Sequence, residues 1–206
     1  MKKILIFGDI TTAKWHPLGG VDDEIKEIIG DKYEVEVSED YNILLKLNDY
    51  DLLILYKDKW EIGENSEEII ASIITYVANG SPILTMHASV VINDYPELIQ
   101  IFGAKFKSHP KINDITVKAI DKNDPITKDL EDFVTFEEPY TYIMDEVSNI
   151  TVLTEFVYDG QTFINSWKKK FGKGEVVYLM NGHTPKQFKD EGNRILVKNA
   201  VEYLLR

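Results

Sequence analysis

The chain has 206 residues, 44% of them hydrophobic and 28% charged, which is ordinary for one globular domain spanning residues 1–206. Its formal net charge of -12 disfavours a nucleic-acid partner, and no apolar run is long enough to span a membrane. Because the chain has no cysteine, disulfide bonds are excluded and a cytoplasmic location is expected.

The first half of the sequence alternates between short apolar runs and segments with helical spacing. The apolar runs predict four strands, at residues 4–7, 33–37, 52–56 and 83–86. The helix before the fourth strand has the clearest pattern, because Asn65 and Glu68 resemble a capping box and Asn79 with Gly80 ends it. This βαβ series is typical of an α/β fold.

Continuous apolar strands joined by helices predict a parallel sheet with helices on both faces. We expect the chain to step outward from the first strand to the second and third, and the fourth to return beside the first. The strand order would then reverse between the first and fourth strands. Ligands bind in the crevice beyond the carboxyl ends of the strands at such a point.

The second half predicts a different arrangement, with several strands, some of them antiparallel. The strand-like segments are residues 113–120, 133–143, 150–159, 162–171 and 174–183. Gly160 and the glycines at 172 and 174 supply turns, so the lysines at 168–170 and 173 are expected at a solvated hairpin tip. A final helix is expected at about 193–205, with Val197, Ala200, Val201 and Leu204 on its buried face.

All four histidines lie in predicted loops. His16 follows the first strand, His87 ends the fourth and His183 follows the strand at 175–180, so these three side chains are expected to converge. Imidazole can act there as an acid, a base or a metal ligand. Three such rings would suit zinc or another divalent metal, but no short ligand motif is present, so an enzyme without a required cofactor is also open. His109 precedes a proline, which is typical of a surface turn.

Two adjacent carboxylates, Glu137 and Glu138, precede a proline in "TFEEPYTY". In an extended chain successive side chains point to opposite sides, so only one of the two is expected to face a given pocket.

Several segments, in this order, together resemble the ThuA-like, or trehalose-utilisation, family over nearly the whole chain: "HPLGG", "LTMHAS", "FGAKFKSHP", "DPITKDL", "FEEPYTYI" and "SWKKKFGKGEVVYLMNGH". The resemblance implies a three-layer αβα sandwich of the flavodoxin-like kind found in class I glutamine amidotransferases. In that fold His87 occupies the region of the amidotransferases' nucleophilic cysteine. Because this chain has no cysteine, glutaminase chemistry by the usual triad is excluded.

The resemblance also implies a role in carbohydrate utilisation, through an enzyme acting on a sugar or keto-sugar as an isomerase, lyase or hydrolase. In this hypothesis His87 or His183 is the general base, and Glu138 is the acid or an orienting carboxylate. His16 contacts the substrate or a metal.

Three aromatic residues, Trp15, Tyr140 and Trp167, could offer flat faces to a sugar ring. The alternative function is a non-catalytic module that uses the same pocket to bind a carbohydrate or a partner protein. In both hypotheses a small-molecule carbohydrate is the expected ligand, nucleic acids and membranes are not partners, and a homo-oligomer is compatible with the sequence.

Overall fold

The computed structural model describes residues 1–11 and 13–206. The first half contains β1 (Lys3–Gly8), α1 (Val21–Ile29), β2 (Glu34–Ser38), β3 (Leu52–Tyr56), α2 (Ser66–Ala78), β4 (Ile83–Met86) and α3 (Pro96–Phe102). Short 3-10 helical segments occupy Tyr41–Asp49 and His87–Val90. The four strands predicted from the apolar runs are therefore confirmed.

The second half is mostly β-structure and ends in a helix. Its elements are β5 (Ala104–Ser108), β6 (Asn113–Ala119), β7 (Phe133–Glu137), β8 (Thr141–Met144), β9 (Ile150–Tyr158), β10 (Gln161–Phe171), β11 (Gly174–Leu179) and α4 (Glu191–Leu204). The predicted last helix is confirmed, and the four apolar residues expected on its inner face are all buried.

One mixed sheet of nine strands has the order β2-β1-β3-β4-β11-β10-β9-β6-β7, and β5 pairs separately with β8. In this spatial order, the first five strands (β2, β1, β3, β4 and β11) are parallel to one another. Each following pair, from β11–β10 to β6–β7, is antiparallel. The predicted α/β class, with a parallel first half and antiparallel strands in the second half, is confirmed.

The predicted place of the fourth strand is wrong. β4 pairs with β3, and β3 rather than β4 lies beside β1. The reason is burial: β3 (LLILY) is apolar and buried along its whole length, which suits a strand with two neighbours, whereas β2 (EVEVS) carries charges and lies at the edge. The strand order reverses at β1, which has β2 on one side and β3 on the other.

Side chains of the parallel strands alternate between two apolar cores. Leu5 and Leu53 face the core that α2 covers, whereas Ile4 and Ile54 face the core that α1 and α4 cover. This gives the expected three-layer αβα sandwich, in which the inner parallel strands β1, β3 and β4 are buried on both faces. No helix in the described part of the chain is long and apolar enough to cross a membrane.

Two local expectations also need correction. Asn65 is the residue before α2, but its side chain makes no capping hydrogen bond to the helix. Lys168 and Lys169 lie within β10 rather than at a solvated tip: Lys168 pairs with Asp124, and Lys169 is only 8% exposed and donates to the Ser148 hydroxyl. These lysines therefore link β10 to the loops that carry Asp124 and Ser148.

Candidate functional site

Three histidine rings meet above the carboxyl ends of the parallel strands. His16 lies in the loop after β1, His87 directly follows β4, and His183 follows β11. The ring centroids of His16 are 4.9 Å from His87 and 5.0 Å from His183, and those of His87 and His183 are 5.3 Å apart. The predicted convergence of these side chains is confirmed.

Glu138 lies at the centre of the three rings, because it directly follows β7 and reaches over the sheet from the antiparallel half. Its Oε2 is 3.3 Å from His16 Nε2, 3.5 Å from His87 Nε2 and 3.2 Å from His183 Nδ1. One ligand atom from each residue lies within 4.8 Å of all the others. Three ring nitrogens thus share one carboxylate oxygen.

His87 is held in one tautomer by the backbone. Its Nδ1 lies 2.7 Å from the Met180 carbonyl oxygen, so Nδ1–H donates and Nε2 is left with a lone pair. The Nε2 of His87 and the Nδ1 of His183 are buried and have no hydrogen-bond partner among the described residues. The φ of His87 is 42°, in the left-handed region that non-glycine residues rarely adopt. A lone pair aimed at a carboxylate oxygen requires a proton or a cation between the two atoms.

The electrostatics of the cluster follow from burial and from this shared carboxylate. Burial opposes ionisation of Glu138, but the three histidine nitrogens that face its Oε2 outweigh burial and hold the pKa of Glu138 far below the usual range. Burial also opposes protonation of His16, yet the carboxylates of Asp58 and Glu138 raise its pKa to about 9. For His87, burial dominates and lowers the pKa to about 4. His16 and His87 therefore have different protonation states at neutral pH.

Asp58 supports His16 from the loop after β3. Its Oδ2 is 3.2 Å from His16 Nδ1, which orients the opposite nitrogen, Nε2, toward Glu138. The loop is tied down by Lys57, whose buried ammonium pairs with Asp9 at 2.7 Å and donates to the carbonyls of Asp58 and Lys59. The sequence signal for this loop was a polar "KD" directly after the apolar run "LLILY", and the sequence interpretation did not use it.

Only one of the two adjacent carboxylates was expected to face the pocket, and this is confirmed: Glu138 belongs to the cluster, whereas Glu137 is fully buried behind His87. The Oε1 of Glu137 is 4.0 Å from His87 Nδ1. Its Oε2 accepts the backbone N–H groups of Gly182 at 2.6 Å and His183 at 3.3 Å, while Oε1 accepts that of Glu138 at 2.9 Å. Burial raises the pKa of Glu137 to about 8, although these N–H groups act in the opposite direction. The carboxyl links the two loops that carry Glu138 and His183.

A buried chain of amide side chains supports the loop of His183. Asn165 donates to Asn181 at 2.8 Å, Asn181 donates to Asn193 at 2.7 Å, and Asn193 donates to the carbonyl of Gln187 at 2.8 Å. In addition, the Tyr56 hydroxyl donates to the Gly182 carbonyl at 2.8 Å. The loop is therefore held from β10, β3 and α4 before any ligand arrives.

The three predicted aromatic contacts have different surroundings. Tyr140 packs on His87, with ring centroids 4.5 Å apart, and its hydroxyl is 3.4 Å from His16 Nε2. Trp15 is 57% exposed beside the cluster. Trp167 is fully buried, and its Nε1–H donates to the Phe102 carbonyl at 2.8 Å. Because its ring lies in the core, the prediction that Trp167 offers a face to a sugar is wrong.

A cavity of about 340 Å³ opens beside the cluster, lined by Trp15, His16, Asp58, Lys59, Val91, Phe106, His109, Glu138 and Tyr140. His109 thus belongs to the site, which the sequence interpretation missed when it assigned His109 to a surface turn. Its Nδ1–H donates to the Pro110 carbonyl, and its Nε2 is 3.9 Å from Glu138 Oε1. The ring also stacks on Tyr140.

Comparisons with known proteins agree with this architecture. The profile of the ThuA family, described as trehalose utilisation, matches residues 3–204. The chain belongs to the ThuA family. Membership of this family suggests a function related to trehalose utilisation. No curated protein is significantly similar to it in sequence.

Solved structures show how widely this fold is shared. A ThuA-like protein from Parabacteroides merdae superposes with a TM-score of 0.84 at 16% identity, over 99% of this chain and 90% of that chain. A cytoplasmic protein from Salmonella typhimurium has a TM-score of 0.68 at 10% identity, over 98% of each chain. A glutamine amidotransferase from Thermotoga maritima has a TM-score of 0.60 at 13% identity, over 100% of this chain and 98% of that chain. At these identities the similarity to each of the three structures is a similarity of fold alone.

Proposed function

We propose that this protein is a metal-dependent enzyme acting on a sugar or keto-sugar, with its catalytic centre at the cluster of His16, His87, Glu138 and His183. The observation that carries the proposal is the set of three imidazole nitrogens around one carboxylate oxygen, with ligand atoms within 4.8 Å of one another. Two of those nitrogens are buried without a hydrogen-bond partner among the described residues. A divalent cation would satisfy all of them.

The donor set fits a cation of the zinc type. Imidazole nitrogens suit zinc and other late first-row divalent metals. Metal-binding histidines generally use their second nitrogen to contact a carboxylate or a carbonyl. His16 does so through Asp58, and His87 does so through Met180. When bound, such a cation acts as a Lewis acid that polarises a carbonyl or hydroxyl oxygen.

The chain's own groups then have separate roles. The cation would be held by His16, His87 and His183. In this proposal His87 and His183 both bind the metal, so neither is the general base that the sequence analysis expected. The Oε2 of Glu138 completes the set, and its Oε1 faces His109 and the cavity. His109 has a side chain that is 34% exposed, which leaves it able to exchange a proton with solvent and with a substrate.

A carbohydrate is the substrate class that the surroundings favour. The cavity carries carboxylate and imidazole groups beside the exposed indole of Trp15, the combination that a polar ring with apolar faces requires. Tyr140 is only 1% exposed and its ring packs on His87 and Phe106, so the prediction that it offers a face to a sugar is wrong. The trehalose-utilisation description of the family supports the same class. A cytoplasmic location and a homo-oligomeric state remain predictions. The name of the Salmonella typhimurium neighbour supports the first.

The proposal is tested on protein purified without a histidine tag. We expect one equivalent of a bound divalent metal, and turnover of at least one member of a panel of keto-sugars and disaccharides that a chelator abolishes. Metal-free protein with chelator-resistant turnover would contradict the metal assignment. Sugar binding without turnover, with or without metal, would favour the non-catalytic binding module instead.

The metal affinity is expected to rise with pH. With its pKa raised to about 9, His16 carries a proton at neutral pH in the metal-free protein, and a cation must displace that proton. Below about pH 9 each pH unit should therefore raise the Zn²⁺ affinity about tenfold, with a plateau above. Competition against a chromophoric chelator between about pH 6.5 and pH 8.5 measures this. A flat profile would show that His16 is not a ligand.

Asp58 is expected to matter although it does not belong to the cluster. Asp58→Asn keeps the shape but removes the charge 3.2 Å from His16 Nδ1, so the imidazole is less basic and less well oriented. We expect a loss of about 10–100-fold in Zn²⁺ affinity, as is usual for such supporting carboxylates. Titration calorimetry measures it, with the exposed Asp114→Asn as the control. Equal affinities for the two variants would contradict the role of Asp58.

A further inference from the structure

A second, smaller cavity of about 220 Å³ lies next to the one at the histidine cluster. It is lined by Asp9, Ala13, Lys14, Trp15, Lys57, Asp58, Lys59 and Glu61. Trp15, Asp58 and Lys59 also line the first cavity, of about 340 Å³. Small-molecule sites usually measure about 300–1,000 Å³, so the second cavity alone is too small for a complete site. The two are better understood as halves of one cleft.

We propose that the second cavity is a subsite for a neutral polyhydroxylated group, a second sugar unit attached to the one that reaches the histidine cluster, with Trp15 between the two. This proposal rests on the proposed function, since it extends the same ligand beyond the cluster. The charges on the lining favour a neutral group: Lys14, Lys57 and Lys59 are matched by Asp9, Asp58 and Glu61. A phosphate or carboxylate would gain no net attraction there.

The floor of the second cavity is built in advance. Lys57 is 4% exposed, and its ammonium contacts Asp9, the Asp58 carbonyl and the Lys59 carbonyl. Lys59 itself has a φ of 47°, a conformation that this network holds. These three contacts use every N–H donor of the Lys57 ammonium, so its role is to fix the Asp58 and Lys59 carbonyls, each of which retains a second lone pair that can accept from a sugar hydroxyl.

Asp58 joins the two halves of the cleft. Asp58 lines both cavities, and its Oδ2 contacts His16 Nδ1 at 3.2 Å. A hydroxyl that binds Asp58 from the second cavity would therefore change the contact between Asp58 and His16 in the histidine cluster. Trp15 is the natural divider, because it is 57% exposed and forms part of both walls. Its indole offers an apolar face to a sugar ring.

Trp15 also reports on occupancy of the cleft. Trp60 is 3% exposed and Trp167 is fully buried, so acrylamide quenches mainly the fluorescence of Trp15. We would titrate zinc-loaded protein with trehalose, which has two rings, and with methyl α-D-glucopyranoside, which has one. Protection of Trp15 from quenching gives the affinity for each sugar. We expect the two-ring sugar to bind at least about tenfold more tightly, because it contacts both cavities.

Ala13 allows the second cavity to be closed selectively, because it lines that cavity and not the first. Ala13→Phe should reduce the preference for two rings to less than about twofold and leave one-ring and Zn²⁺ binding unchanged. Ala71→Phe, an exposed change on α2 outside both cavities, is the matched control and should retain the preference.

Each outcome of these titrations decides the matter. Equal affinities for the two sugars would overturn the subsite and leave the proposed function standing. A preference for the two-ring sugar that persists in the Ala13→Phe protein would have the same consequence. Protection by neither sugar would overturn the subsite together with the carbohydrate assignment, while the metal assay would still decide the metal centre independently.

Discussion

Replacing His87 with asparagine is expected to lower the Zn²⁺ affinity of the protein by more than about 100-fold. The variant removes the Nε2 that faces Glu138 Oε2 at 3.5 Å. Even supporting groups outside a metal's own ligands cost 10–100-fold, so the loss of a ligand should cost more. Asparagine is preferable to alanine here because residue 87 has a φ of 42°, and asparagine adopts left-handed conformations more readily.

His109 provides the matched control for this experiment. It contacts the same carboxylate, but through Oε1 at 3.9 Å, and it lies outside the cluster of ligand atoms. His109→Gln should therefore change the Zn²⁺ affinity by less than about threefold while impairing turnover. If the two variants lose Zn²⁺ affinity equally, or if neither does, the division of roles among the histidines is wrong.

Glu137→Gln is expected to destabilise the protein by about 2 kcal/mol and to weaken Zn²⁺ binding at the same time. Above its pKa of about 8, Glu137 is a carboxylate that accepts on both oxygens, from Gly182 and His183 on one and from Glu138 on the other, so both effects are measured at about pH 9. An amide has a single acceptor oxygen, so its NH₂ group must face a buried backbone N–H. The loops that carry Glu138 and His183 would then separate, which moves two of the ligands.

Urea denaturation of the metal-free protein and Zn²⁺ titration measure the two effects separately. Glu34→Gln, at an exposed position of the edge strand β2, is the control and should change the free energy of unfolding by less than about 0.5 kcal/mol. A Glu137→Gln protein with normal stability would show that the carboxylate is not needed to hold the loops. Normal Zn²⁺ affinity with reduced stability would confine its role to folding.

Much of the fold could be predicted from local pattern. The runs at β1, β3 and β4 are almost entirely apolar because these strands are buried on both faces, and that pattern is visible in the sequence. The position of β4 could not be derived from connection rules alone. The convergence of His16, His87 and His183 survived this error because all three follow parallel strands, whose carboxyl ends share one edge of the sheet.

The remaining parts of the site depended on details of the chain path. Alternation of side chains predicted that only one of Glu137 and Glu138 faces the pocket, but the backbone N–H groups that Glu137 binds could be found only in the tertiary structure. The role of Asp58 required knowing that β3 lies beside β1. An indole side chain can pack in a hydrophobic core or against a sugar ring, and the sequence does not distinguish the two. For Trp167, only the tertiary structure shows that the Phe102 carbonyl accepts the indole N–H in the core.

The central claim is that the histidine cluster binds a divalent cation, and X-ray absorption at the zinc edge of untagged, zinc-loaded protein tests it most directly. The account predicts a first shell with three imidazole nitrogens and a carboxylate oxygen, and a spectrum that loses one imidazole in the His87→Asn protein. A shell of oxygen atoms without imidazole scattering, or one that His87→Asn leaves unchanged, would contradict it.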